Sequence, residues 1–145
     1  MVDDAIIKNT MNYIVTIKQI DWIDQEAKEA DVCFMLRDSL YWAFCHPCDF
    51  TEGEVCEVEI DMLEGEDSWE TMFSVNTKRD MKILPFERGR CSYYCYGRIE
   101  SICSVIADCG DLHFDLGNFT HDERVVGEYI YFFIDRMDIK RSIRV

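Results

Sequence analysis

The chain has 145 residues, 48% hydrophobic and 13% aromatic, with 15 Lys and Arg against 29 Asp and Glu, a formal net charge of −14. That length and apolar content allow one compact body over 1–145 with a core of ordinary size, and they exclude a low-complexity or compositionally disordered chain. The charge argues against nucleic acid and against anionic membranes as direct ligands, because phosphate binding is built on Lys and Arg.

The opening stretch, MVDDAIIKNTMNYIVTI, carries acids where a secretory signal needs bases. No run approaches the roughly 18 apolar residues that span a bilayer. The expectation is a soluble protein of the cytoplasm with no membrane contact. Its eight cysteines are then expected to be reduced, with Cys33, Cys56, Cys103 and Cys109 serving as small buried hydrophobes.

Residues 11–23 (MNYIVTIKQIDWI) are rich in β-branched and aromatic side chains and read as a strand. The overlapping stretch 21–31 (DWIDQEAKEAD) has the composition of a turn or two of helix. Residues 31–44 read as two strands joined by a polar turn at Asp38 and Ser39.

The next stretch, AFCHPCDF (43–50), holds a Cys-His-Pro-Cys tetrapeptide. Cys45 and Cys48 have the spacing of half a structural zinc site, which His46 or the pair Cys91 and Cys95 would have to complete. A redox Cys-x-x-Cys belongs at a helix N-terminus after a strand, whereas the residues beyond Cys48 have the period of a strand. We therefore expect no metal and no cofactor.

From Cys56 the alternation is strict. Cys56, Val58, Ile60 and Met62 fall on one face and Glu57, Glu59 and Asp61 on the other, as in a half-buried strand. The carboxylates of such a row stand about 7 Å apart and repel one another. The row belongs to a larger excess: between Arg37 and Lys78 there is no Lys or Arg, yet eleven acids, interleaved with Tyr41, Trp42, Phe44, Phe50, Trp69 and Phe73. The rest of the chain is nearly balanced, 18 acids against 15 bases. A concentrated negative patch with aromatics suits a basic protein partner, since charge steers encounter and aromatics supply affinity. The expected partner-binding residues are Glu54, Glu57, Glu59, Asp61, Glu64, Glu66, Asp67 and Trp69.

Within a connecting segment 65–92, residues 77–89 (TKRDMKILPFERG) read as the start of a helix that Pro85 stops. Strands are expected over 93–102 and 127–139, with a hairpin over 104–117 turning at Gly110 and Asp111. His113 alternates with Leu112 and Phe114 and should point away from the core, and His121 lies in a loop. Serine nucleophile elbows, phosphate-binding glycine loops and HExxH are absent. Asp108, Asp111 and Asp115 are too irregular for an EF-hand loop. Nothing here predicts an enzyme.

Two parts of the chain answer one another. Gly53, Glu54, Ile60 and Asp61 match Gly127, Glu128, Ile134 and Asp135 at a constant offset of 74, and Ile17 and Ile20 answer Ile99 and Ile102 at a longer one. The pattern predicts a mostly β protein with little helix, a barrel or sandwich built from two related units, 11–64 and 93–139. Where the first has FCHPCDFT the second has LGNFT, so the loop does not need its thiols.

In general character, small, acidic and without a catalytic motif, the chain resembles the immunity proteins that neutralise nuclease toxins in bacterial competition. The resemblance implies an acidic surface that occludes a basic active site. The stretch VGEYIYFFIDRMDI resembles the closing strands of five-stranded barrels of the oligonucleotide-binding type. That resemblance implies an alternative, a single-strand nucleic-acid binder using Tyr93, Tyr94 and Tyr96 with Arg90 and Arg98. A small zinc module using the CHPC loop is a further alternative.

Overall fold

The computed structural model describes residues 12–142. Most of the opening stretch read for targeting, and Met11 at the start of the first expected unit, lie outside the described residues. Among the described residues there are nine strands: β1 (Asn12–Asp24), β2 (Glu29–Leu36), β3 (Ser39–Cys45), β4 (Val55–Glu64), β5 (Lys82–Phe86), β6 (Gly89–Ser101), β7 (Ile106–Asp108), β8 (His113–Asp115) and β9 (Tyr129–Arg141). A helix, α1 (Trp69–Ser74), separates β4 from β5, and a 3-10 turn over Glu123–Val125 precedes β9. The strands form one sheet in the order β3-β2-β1-β4-β9-β6-β7-β8, with β5 on β6. Pairing is antiparallel apart from a single parallel bridge between β3 and β9, Phe44 opposite Asp138.

Period-two patterning explains the longest strands. In β4, Val58 and Ile60 are buried, while Glu57, Glu59 and Asp61 take the other face. In β9 the buried set runs Ile130, Phe132, Ile134 and then Met137, Ile139. The break coincides with a register shift between Leu63 and Glu64 of β4. Such a bulge inserts one residue and returns the strand's apolar side to the core.

Two expectations of helix are corrected. At 21–31 the chain stays extended to Asp24 and turns tightly. The Asp24 carboxylate accepts the N–H groups of Glu26 and Ala27, and Lys28 turns the corner with φ 58. A short acidic side chain that competes for backbone donors favours the turn over the helix. At 77–89 the chain forms β5, and Pro85 is accommodated because β5 pairs with β6 alone. The helix lies earlier, where the Ser68 hydroxyl caps α1 by accepting the N–H of Thr71.

The two sets of four strands are paired alike. Five β1–β4 pairs, from Asn12 opposite Glu59 to Thr16 opposite Val55, have counterparts in β6–β9 from Tyr94 opposite Phe133 to Arg98 opposite Tyr129. The counterparts lie 82 residues on in β1 and 74 on in β4. Both β1–β2 and β6–β7 carry a bulge at the matching place, between Ile17 and Gln19 and between Ile99 and Ser101. The hairpin β2–β3, with Phe34 opposite Tyr41, matches β7–β8, with Ala107 opposite Phe114. Ile17 accepts from Gly53 N at 2.7 Å and donates to Glu54 O at 2.9 Å, and Ile99 does the same with Gly127 and Glu128 at 2.8 and 2.9 Å. The two glycines share a φ of 93. The sheet order therefore reads the same from both ends, with its centre where Met62 of β4 lies opposite Met137 of β9. Buried side chains of both sets, among them Phe34, Ile17, Phe114 and Phe132, belong to one apolar cluster.

Candidate functional site

The acidic row of β4 meets cations that the fold supplies from β9. Arg141 grips Glu54 through two parallel bonds of 3.0 and 3.1 Å and reaches Asp49 at 3.4 Å. This fork pulls the Glu54 carboxyl below its usual range. Lys140 lies 3.4 Å from Glu59, which faces it across the β4–β9 pairing. Glu57 accepts from the Ser142 hydroxyl at 3.4 Å. Of the expected partner-binding residues, Glu54 and Glu59 thus lie beside cations of β9 that neutralise part of the row, and Glu57 meets the Ser142 hydroxyl.

The charge left open lies farther along the chain. Asp61 faces Asp138, which is held by Arg136 at 2.7 Å, and its own carboxylate accepts the N–H of Met62. Glu66 and Glu70 are exposed. Asp67 accepts the N–H of Phe133 at 2.9 Å, which ties the 65–68 segment to β9. Partial desolvation, reinforced by the Asp67 carboxylate, pushes the Glu64 carboxyl up. Among the described residues, none of Asp61, Glu64, Glu66 and Glu70 has a Lys or Arg partner. Trp69 is 53% exposed at the start of α1, with its ring packed on Phe73 at 4.7 Å and Phe119 at 5.5 Å. Leu63 is also exposed. Residues 61–70 thus carry open acids and a supported aromatic within one stretch of the chain.

The β6–β9 face has a different chemistry. Tyr131 and Phe133 stand where the matching positions of β4 carry Glu57 and Glu59. Tyr96 packs on Tyr131 at 5.3 Å and Tyr94 on Phe133 at 5.7 Å, with Phe86 against Tyr94 and Phe133. Desolvation and the nearby Asp67 push the Tyr131 phenol up to about 12. Lys82 lies over Tyr96 and Arg79 over Tyr129. Of the five residues expected for nucleic-acid binding, Tyr94, Tyr96 and Arg98 share this face. Tyr93 is buried with its hydroxyl on the Trp42 backbone. Arg90 stacks on Trp42 at 4.1 Å and pairs with Asp21 and Asp31.

The CHPC thiols are buried, and burial pushes the Cys45 thiol far above its ordinary range. Cys91 points its thiol at Asp31, and Cys95 is enclosed beside Cys109. Among the described residues, the group of three metal-capable side chains within 4.8 Å of one another is Glu100, Asp108 and His113. His113 Nδ1 is 3.0 Å from Glu100 and Nε2 3.6 Å from Asp108. His113 does point away from the core, between buried Leu112 and Phe114. Sequence reading passed over this trio, although the β7–β8 hairpin register places Asp108 opposite His113.

No protein-family model, curated protein or solved structure matches this chain. Among the described residues, no helix is long and apolar enough to cross a membrane.

Proposed function

We propose that the chain is a non-enzymatic binding protein of the cytoplasm that docks a basic protein on residues 61–70, inhibiting a nuclease-type toxin in the manner of an immunity protein. The observation that carries the reading is Trp69, half-exposed in the same stretch as Asp61, Glu64, Glu66 and Glu70, which lack cationic partners among the described residues. A braced aromatic in an acidic stretch combines affinity with steering. A cation from the partner relieves the repulsion between Glu64 and Asp67. The toxin-inhibitor role follows the general resemblance to immunity proteins. The open surface begins where the pairing of β4 with Lys140 and Arg141 ends, so Glu54, Glu57 and Glu59 serve the fold.

As to architecture, we read β1–β4 and β6–β9 as copies of one ancestral unit. The matched registers, bulges and Ile-Gly-Glu hydrogen bonds support this. The bridge from Phe44 to Asp138 supports reading β1, β2, β3, β9 and β4 as a small barrel of the oligonucleotide-binding type.

The test is capture on the immobilised protein, followed by an activity assay of what is retained. A basic nuclease should be held, be released by raised salt and lose activity in the complex. Trp69→Ala and the pair Glu66→Lys, Glu70→Lys should each weaken the complex at least about tenfold. Retention that these substitutions leave unchanged, or of a protein without a basic surface, overturns the reading.

A further inference from the structure

A cleft of about 440 Å³ opens beside the aromatic face, bounded by the chain after α1, by β6 and by the start of β9. That volume lies in the range of small-molecule sites. Asn76, Thr77, Arg79, Arg98, Glu128 and Tyr129 are among its walls. Arg37, Arg90, Arg124, Arg136 and Arg141 each have an acidic partner. Arg79, Arg88 and Arg98 have none among the described residues, although acids outnumber bases in the chain by 29 to 15, and of these three Arg79 and Arg98 line the cleft. Two unpaired guanidiniums converging on one cleft is the reverse of what a net charge of −14 leads one to expect.

Both arginines are positioned by the fold. Asn76 is buried; its carbonyl oxygen accepts the N–H of Asp80 at 2.8 Å and its amide donates to Asp80 O and Ile130 O, both at 3.0 Å. That clamp fixes the 76–80 turn to β9 and sets Arg79, at φ 56, over the Tyr129 ring. Arg98 stands opposite Tyr129 on β6. The Arg98 guanidinium lies beside Gly127, whose Cβ position would be 3.5 Å from Nη2, an ordinary contact distance. The matching positions of the first set, Thr16 and Val55, carry no charge. Arg98 is therefore not required by the shared strand pairing, and Arg79 lies in the connection between α1 and β5, outside both sets.

The geometry points to this cleft as a binding site for the phosphate group of a small phosphorylated molecule, with Arg79 and Arg98 as the anion clamp. Planar guanidinium forks match phosphate oxygens two at a time, and the hydroxyls of Ser74 and Thr77 add donors on the same wall. A polymer of phosphates is disfavoured, because the acids that dominate the rest of the surface would repel it. Glu128 lines the same cleft and opposes the anion, which gives the site an internal control.

Isothermal titration with ribose 5-phosphate, adenosine and an oligothymidylate at low salt tests the site. Ribose 5-phosphate should bind at one per chain and adenosine should not. Arg79→Gln and Arg98→Gln should each weaken binding roughly tenfold or more, and Glu128→Gln should strengthen it. Arg79 lies on an exposed turn, so its variant serves even where Arg98→Gln fails to fold. Absence of saturable binding, binding indifferent to Arg79→Gln, or an oligothymidylate that binds more tightly than ribose 5-phosphate overturns the proposal.

Discussion

The phenol of Tyr93 occupies the place of a neighbouring strand at Trp42: its oxygen accepts the Trp42 N–H at 2.7 Å and its proton goes to the Trp42 carbonyl at 2.8 Å. One side chain of β6 thereby satisfies a backbone donor and acceptor of β3, a strand otherwise held by β2 and by the bridge at Phe44. Tyr93→Phe keeps the ring and strands both backbone groups in a half-buried place. We expect a loss of roughly 1–3 kcal/mol in urea unfolding, with an unchanged m-value. A stability equal to wild type would mean that water replaces the phenol at no cost.

Much of this fold is legible in the sequence where one face of a strand is buried. The alternation from Cys56 to Met62 locates β4, and Gly53-Glu54 with Gly127-Glu128 locates the matching strand starts that the hydrogen bonds of Ile17 and Ile99 display. What is not legible depends on neighbours. β5 hides because an edge strand tolerates Pro85, and the charged residues that flank it, Lys78 to Asp80 and Glu87 to Arg88, imitate a broken helix. The partners of Glu54 and Glu59 hide because Arg141 and Lys140 lie more than eighty residues away and reach them only through β4–β9 pairing. The separation of Tyr93 from Tyr94 and Tyr96 was available from period two, since alternate residues of one strand take opposite faces.

Thiol reactivity should be confined. Only the thiolate attacks, and burial holds Cys45 well above the ordinary range while burial and Asp31 push Cys91 up to about 12. Cys103 is exposed. Titration of the native protein with an aromatic disulfide near pH 7.5 should show one fast equivalent, removed by Cys103→Ser, with the other thiols appearing on denaturation. Rapid reaction at Cys45 or Cys48 would contradict the buried loop.

Gly97 is a point of close approach. A Cβ there would meet the Asp108 carbonyl oxygen and Cys109 Sγ, each at 2.7 Å. The matching position of the first set is Val15, which is buried without such a neighbour conflict. Gly97→Ala should cost roughly 1–3 kcal/mol, while Val15→Ala costs a comparable amount for the opposite reason, a cavity. Thermal unfolding of both variants separates crowding from loss of volume when each is combined with Cys109→Ala, which should rescue Gly97→Ala in part and leave Val15→Ala unimproved.

Two carboxylates give opposite responses to acid. The Arg141 fork lowers the Glu54 value in the folded chain below its unfolded value of about 4.3. Its stabilisation is therefore complete above that pH and is lost as pH falls through the lower folded value. Glu64 is shifted the other way, by desolvation and then by Asp67. Its ionised form opposes folding at neutral pH, and the penalty is relieved as pH falls through the raised folded value. At pH 7, Glu54→Gln should destabilise the protein and Glu64→Gln should stabilise it, each by about 0.2–1 kcal/mol because both groups are partly solvated. Towards pH 3 both differences should shrink, and the Glu64 difference should begin to shrink at the higher pH. Urea midpoints of the three proteins across this range decide the matter: parallel curves would show that neither carboxylate carries the linkage assigned to it.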